Sequence, residues 1–450
     1  MSSPQKSILV VNPWIHDFAA YDLWMKPLGL LYIASILRAR GFGVTLLDCL
    51  DFHSLPEECR NGVKPPSKKS FGQGHFHKEV IPKPKPLKKI PRQYRRYGIP
   101  PETLNRLAPK IPAPDLILVT SSMTYWYTGV AETVRFLKVH FPGIPILLGG
   151  TYATLCADHA RKNSGADQVL PGPWDDEKME FISGLLGTKA AEAREGGFAS
   201  WLYPAFDLYR QLVYICLLTR RGCPFSCAYC ASSRLNPGFE SRTPEAVVEE
   251  IVHWRKVSGI SNFSFHDDAL LVEPERHFLP IARGLAERGA ECNFHTPNAL
   301  HVRFLDEEVA NALFRSGFRT IRLGLETSGE DLQRRTGGKV TNRQFEAGVR
   351  NLRRAGYRQE EIGVYLMVGL PGQRAKDVSE SISFVKASGA RPILAEYSPI
   401  PGTPLFADAA KVSPFDLENE PLFHNNSLLP CRSEDLTWED YRVLKAEAGE

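Results

Sequence analysis

The sequence predicts an α/β protein with two successive modules: a Rossmann-like, doubly wound domain, then a partial, TIM-like barrel of six (β/α) units. Three observations predict it. Short, β-rich apolar runs alternate with helix-length amphipathic stretches, the pattern of parallel strands joined by helical crossovers. A Pro- and Lys-rich insert interrupts the first series of alternations, and the series restarts after a Gly-marked stretch. The length, 450 residues, suits two or three domains.

In the first module, Ile8–Asn12 is a short β-rich run and Pro27–Arg38 has helical length and a wide apolar face. Gly41 and Gly43 stop that helix, and Val44–Asp48 is the next strand. Beyond the insert, Asp115–Thr120, a helix over about 129–140, Ile144–Gly150, a helix over about 153–162 and Asp167–Leu170 continue the alternation. This domain is expected over 1–190, with Gly196 and Gly197 marking a linker over 191–210. The barrel is expected over 211–411, with strands at 212–219, 261–266, 291–295, 319–325, 362–369 and 392–397. In such barrels the reactive groups lie at the C-terminal strand ends. The segment 412–450 has little strand character and is expected to cover the barrel mouth.

Composition narrows the function classes. Apolar residues at 43% and charged residues at 24% describe an ordinary globular chain. No run approaches the roughly 18 apolar residues of a membrane helix. The N-terminus lacks a signal-peptide pattern, so a cytoplasmic location is expected. The insert, about 60–112, holds ten prolines from Pro65 to Pro112 and, from Lys64 to Lys110, thirteen Lys/Arg against two acids. It reads as an extended excursion over the surface. A nucleic-acid partner is not expected from it, although Tyr94 and Tyr97 interleave with Arg92, Arg95 and Arg96.

Nine cysteines are present: six are scattered, and Cys223, Cys227 and Cys230 lie within eight residues as C-x3-C-x2-C. A disulfide framework does not look like this. Spacings this short let one loop wrap a small polymetallic object, and thiolate sulfur is the soft ligand of iron–sulfur clusters. A structural zinc site is the alternative, but zinc asks for a second ligand pair, and none is near this loop.

The C-x3-C-x-aromatic-C motif at the end of a first barrel strand resembles the radical S-adenosylmethionine (SAM) superfamily. The resemblance implies that Cys223, Cys227 and Cys230 ligate a [4Fe-4S] cluster, with Tyr229 at the motif's aromatic position. It implies that SAM chelates the open iron and is cleaved to a 5′-deoxyadenosyl radical, which abstracts a substrate hydrogen. It further implies SAM contacts at Asp267 or Asp268 after the second strand, at Glu326 in Gly324-Leu-Glu-Thr, and at Lys339 in Thr336-Gly-Gly-Lys. Gly369, in Val368-Gly-Leu-Pro-Gly372, would pack the adenine, although the family's trailing acid is Gln373 here. An electron donor such as flavodoxin or ferredoxin follows as partner. The substrate, a small molecule, lipid or peptide, is not legible.

A Rossmann-like domain ahead of such a barrel resembles the cobalamin-binding subfamily. The Asp-x-His-x-x-Gly motif is absent, because His16 lacks its spacing. Cobalamin would then be held through Ser121, Gly149 and Gly150. If it binds, the resemblance implies methyl transfer to an unactivated carbon. The alternatives are a cobalamin-free radical SAM oxidoreductase or cyclase, and a non-catalytic iron–sulfur or zinc protein. His266, His295, Cys292 and Cys431 are read as packing residues.

Overall fold

The computed structural model describes residues 5–60, 62–188 and 202–450. Gly196 and Gly197 lie outside the described residues, as does most of the expected linker. The chain divides into a first unit, 1–213 with 419–422, and a second unit, 214–418 with 423–450.

The first unit has eight described strands: β1 (Ser7–Asn12), β2 (Ile15–Asp17), β3 (Gly43–Asp48), β4 (Lys78–Val80), β5 (Arg95–Tyr97), β6 (Leu116–Val119), β7 (Ile146–Leu148) and β8 (Gln168–Val169). Five form a parallel sheet in the order β3-β1-β6-β7-β8. Because helices cover both faces, β1 must be apolar on both, and Ile8, Leu9, Val10 and Val11 are all buried. Ile8 and Val10 pack with Leu30, Leu37 and Ile182, whereas Leu9 and Val11 pack with Val134, Leu137 and Ala160. Strand order reverses between β1 and β6, the place where ligand crevices open in such sheets. The helix expected at 153–162 is split in two, Thr151–Leu155 and Ala157–Asn163.

The insert corrects the surface-excursion expectation. Its strand β5 pairs antiparallel with β2 on one side and with β4 on the other, in a three-stranded sheet. Tyr94, Tyr97, Phe76 and Leu87 are buried, so the aromatics among the basic residues are core. The Pro-rich composition concealed strands of only three residues, too short to show an alternation.

The second unit holds β9 (Ile215–Leu217), β10 (Arg220–Gly222), β11 (Phe239–Ser241), β12 (Asn262–Phe265), β13 (Asn293–His295), β14 (Phe318–Glu326), β15 (Ile362–Val368) and β16 (Arg391–Glu396). Six make one parallel sheet in sequential order, β9-β12-β13-β14-β15-β16. The βα repeat is the expected one, down to a helix at Pro244–Ser258 capped by Thr243 and one at Glu307–Arg315 capped by Asp306. The hairpin β10–β11, not foreseen, brackets the cysteine loop. In the C-terminal segment, helix Trp438–Ala448 carries Tyr441, whose hydroxyl bonds Glu396 on β16. Cys431 joins an apolar cluster with Tyr397, Leu370 and Tyr229. Among the described residues no helix is long and apolar enough to cross a membrane.

Candidate functional site

The cysteine loop follows β9 and β10, and Asp267, two residues beyond β12, fixes the chain where one passes into the other. One oxygen of this buried carboxylate, Oδ1, accepts from Thr219 N (2.9 Å), Thr219 Oγ1 (2.7 Å) and Arg220 N (2.5 Å). The other, Oδ2, is buried without a hydrogen bond. Burial pushes the carboxyl up to about 6. Gly222 then takes φ +81, and a Cβ there would lie 2.0 Å from Gly238 O on the other arm of the hairpin. Cys223 follows at once.

All three cysteines are free thiols. Burial raises Cys223 to about 11, and the nearby Asp268, Cys227 and Cys230 add to that rise. Cys230 Sγ lies 3.4 Å from Ser232 N, and Ser232 Oγ donates to Asp268 Oδ2 at 2.5 Å. Asp268 is thus tied to the loop, while Asp267 is tied to its base. Among the described residues no three His, Cys, Asp or Glu side chains converge as a single metal ion requires. A [4Fe-4S] cubane, in which each cysteine would take a different one of the four iron corners, is the group that three cysteines on one loop fit.

Thr336-Gly-Gly-Lys339 packs against the same loop. Ala228 N donates to Thr336 O at 3.1 Å, and a Cβ on Gly337 would lie 3.0 Å from Cys227 Cα. Lys339 is thereby brought to Glu326: Nζ to Oε1 is 2.5 Å, with both side chains largely buried. The Tyr229 ring lies 5.7 Å from the ammonium, and burial beside Glu326 and Cys227 pushes its phenol well up. Lys339 is held above the usual lysine range by Glu326, against its own burial. Glu326 has φ +67, an unfavourable left-handed conformation for a long side chain, at a register shift between β14 and β15. Gly324 makes room for the pair, since a Cβ there would meet Lys339 Nζ at 2.7 Å and Glu326 Oε1 at 3.0 Å. The result is one anion and one cation side by side next to Cys227 and Cys230, complementary to the two charged ends of an amino acid.

Sequence reasoning missed His301. Its Nε2 lies 3.9 Å from Cys223 Sγ, its ring packs on Phe225 at 4.6 Å, and burial lowers it to about 4. It stands in an irregular stretch after β13, where no motif pointed to it. Gly369 has φ +87, and Leu429 of the C-terminal segment covers it, 3.4 Å from where a Cβ would be. Gln373, standing at the family's acid position, binds the turn: Oε1 accepts from Gly369 N and Leu370 N, and Nε2 donates to Met367 O.

In the first unit, Ser121 Oγ donates to Gly149 O at 2.6 Å, and Thr151 N donates to Ser121 O at 2.7 Å. Gly150, at φ +90, allows this clasp, because a Cβ would lie 2.3 Å from Ser121 O. Gly149, Gly150 and Gly172 then line a small apolar cavity of about 70 Å³ with Leu30, Leu118 and Trp174. His16 is buried in a 2.7 Å pair with Glu132.

Residues 217–385 match the family model of the radical SAM superfamily. Over those residues the chain carries a radical SAM domain, of the superfamily whose members use a [4Fe-4S] cluster and SAM. It is similar to an uncharacterized methyltransferase of Pyrococcus horikoshii, 26% identical over 38% of this chain and 36% of the relative. It is 20% identical to cytidylyl-2-hydroxyethylphosphonate methyltransferase of Streptomyces wedmorensis, over 72% of this chain and 65% of that protein. The chain therefore spans between about a third and two thirds of these relatives. In fold it is similar to TsrM, a radical SAM methyltransferase of Kitasatospora setae solved with cobalamin and a [4Fe-4S] cluster bound. The TM-score is 0.65 at 16% identity, covering 90% of this chain and 78% of that one.

Proposed function

We propose that this chain cleaves SAM reductively and uses the resulting radical, together with cobalamin, to methylate an unactivated carbon of a small molecule, lipid or peptide. The observation that carries the reading is the strained Glu326, which sets its carboxylate against Lys339 beside the three-cysteine loop. Cys223, Cys227 and Cys230 hold the cluster. Its chemistry is the one-electron reduction of SAM, with the electron drawn from a flavodoxin or ferredoxin in the cytoplasm.

The chain's own residues bind and orient. Glu326 takes the ammonium or ribose hydroxyls of SAM, and Lys339 takes its carboxylate, exchanging one short ion pair for two. Tyr229 walls the pair on one side, and Asp268 steadies Cys230 through Ser232. Leu429 closes over Gly369, which lets an adenine ring meet an apolar cover. Asp267 keeps the loop's base in place.

Cobalamin would supply methyl-transfer chemistry when bound, and Gly149, Gly150 and Gly172, with Ser121 clasping Gly149, would form the cradle for it. A cavity floored by three glycines lets a flat ring system approach the backbone. His16, locked to Glu132, is not offered to cobalt. The test is anaerobic reconstitution followed by iron, zinc and cobalt analysis and a 5′-deoxyadenosine assay with dithionite and SAM. Iron, cobalt and deoxyadenosine together support the reading. Stoichiometric zinc, or iron without SAM cleavage, overturns it.

A further inference from the structure

Three neighbouring strands of the barrel sheet show two unlike faces. On one, Ile321, Leu323, Leu325, Ile362, Val364, Leu366, Val368 and Leu394 are buried. On the other, Arg322, Tyr365, Arg391, Ile393 and Ala395 stay partly exposed. Residues opposite each other in parallel strands share a face. The register places Arg322 of β14 opposite Gly363 of β15, and Gly363 opposite Arg391 of β16. Two arginines therefore stand in one row with a glycine between them, their Cα atoms roughly 10 Å apart at two strand spacings. The Arg322 side chain lies over Gly363: a Cβ there would be 2.8 Å from Arg322 Nη1 and 2.7 Å from Ile393 Cδ1.

Neither guanidinium has a carboxylate partner among the described residues. Arg322 Nη1 donates to its neighbour's carbonyl, Ile321 O, at 3.0 Å, and Tyr365 stands beside it. Two other buried charges of this unit are neutralised by partners, in Arg242–Glu250 and Lys339–Glu326. Two like charges on one face of the sheet, partly buried and without a carboxylate partner among the described residues, are a site for an anion with at least two oxygens.

The same face continues upward to Gly324, over which Glu326 and Lys339 meet. Two to four residues separate the arginine row from that pair, or roughly 7–13 Å at the rise of a strand.

We propose that Arg322 and Arg391 bind a phosphonate or phosphate group of the substrate, seated below the SAM pair. This rests on the radical SAM reading and adds a substrate class: a molecule whose reacting carbon lies roughly 7–13 Å from a dianionic phosphorus group. Two forked donors on opposite sides suit a tetrahedral dianion better than a planar carboxylate.

The test is isothermal titration of methylphosphonate, inorganic phosphate and acetate into the anaerobically reconstituted full chain. Wild type, Arg322→Gln, Arg391→Gln and the double variant are compared, with folding checked by circular dichroism. Methylphosphonate and phosphate are expected to bind more tightly than acetate, and each single variant to weaken them about tenfold or more. Arg391→Lys, which keeps charge but not the fork, is expected to fall between. Unchanged affinity in both Gln variants overturns the site, and acetate binding as well as methylphosphonate overturns the dianion class. Should Arg322→Gln fail to fold, Arg391→Gln carries the test, because Arg391 is the partly exposed first residue of its strand. Deoxyadenosine formation by wild type is read separately. Its absence removes the radical SAM reading, whereas loss of anion binding in the variants is scored by heat alone.

Discussion

The C-terminal strand ends of the two parallel sheets contrast sharply although both arise from βα repeats. In the barrel, those ends carry strained and charged groups: Glu326 at φ +67, Lys339 paired to it, and Asp267 with one oxygen unsatisfied. In the first unit, the ends of β1 and β3 are filled by the chain itself. Trp14 Nε1 donates to Ile99 O at 2.7 Å, Ile99 N donates to Cys49 O, and the insert closes that half. On the side of β6, β7 and β8 there is a small cavity, and it is mostly apolar. One edge presents paired charge beside the three-cysteine loop; the other presents a small, mostly apolar cavity.

The contrast is tested most severely at the cysteine loop. Cys223→Ala is expected to abolish deoxyadenosine formation and lower bound iron, since a cubane held by two cysteines is labile. A variant that keeps both iron and SAM cleavage would erase the difference between the two edges. Next in size is Lys339→Met. It leaves Glu326 buried and unpaired, at a cost of about 3–5 kcal/mol by the usual penalty for halving a buried pair. The expected readouts are a lower unfolding midpoint and weaker SAM binding by equilibrium dialysis. Unaltered SAM affinity would remove Lys339 from the site.

Asp267 makes a pH-dependent prediction. Its folded value, about 6, lies above the usual 3.8, so the folded state holds the proton more tightly than the unfolded one. The stability this contributes is present at low pH and is lost as pH rises from about 4 through about 6, amounting to roughly 3 kcal/mol at most. Asp267→Asn keeps the acceptor oxygen and removes the charge. Its stability is expected to fall less than that of wild type between pH 4 and 7, measured by urea unfolding. Parallel curves would show that Asp267 is not held near 6.

Much of this was legible in the sequence because the signals were local. The six barrel strands appear where the apolar runs placed them, since each run is bounded by turn residues and followed by an amphipathic helix. Cys223, Cys227 and Cys230 were legible from spacing. Glu326 and Lys339 were named separately through the family resemblance, but their pairing depends on a register shift and on Gly324, and neither has a sequence signature. His301 reaches Cys223 across 78 positions from an irregular loop, a contact that no local pattern encodes. The three-stranded sheet of the insert was hidden for a related reason: a three-residue strand shows no period, and its partner β2 lies more than 60 residues earlier. The Arg322–Gly363–Arg391 row is likewise a product of register, visible only once the strands are paired.

The smallest expected effects belong to the first unit's edge, and Gly150 and Ser121 separate backbone from side chain there. Gly150→Ala forces a Cβ to 2.3 Å from Ser121 O at φ +90, a clash with backbone and an unfavourable conformation together. It is expected to cost about 1–3 kcal/mol and to reduce cobalt uptake. Ser121→Ala removes only the hydroxyl that bonds Gly149 O and Ala153 N, worth about 1 kcal/mol. The Ser121 and Gly150 backbones still clasp through Thr151 N, so cobalt uptake should persist while the thermal midpoint falls slightly. If instead Ser121→Ala abolishes cobalt uptake with an unchanged midpoint, the hydroxyl contacts the cofactor directly. The first unit's edge would then work by polar recognition, as the barrel's does, and the contrast between an apolar cradle and a charged one would fail.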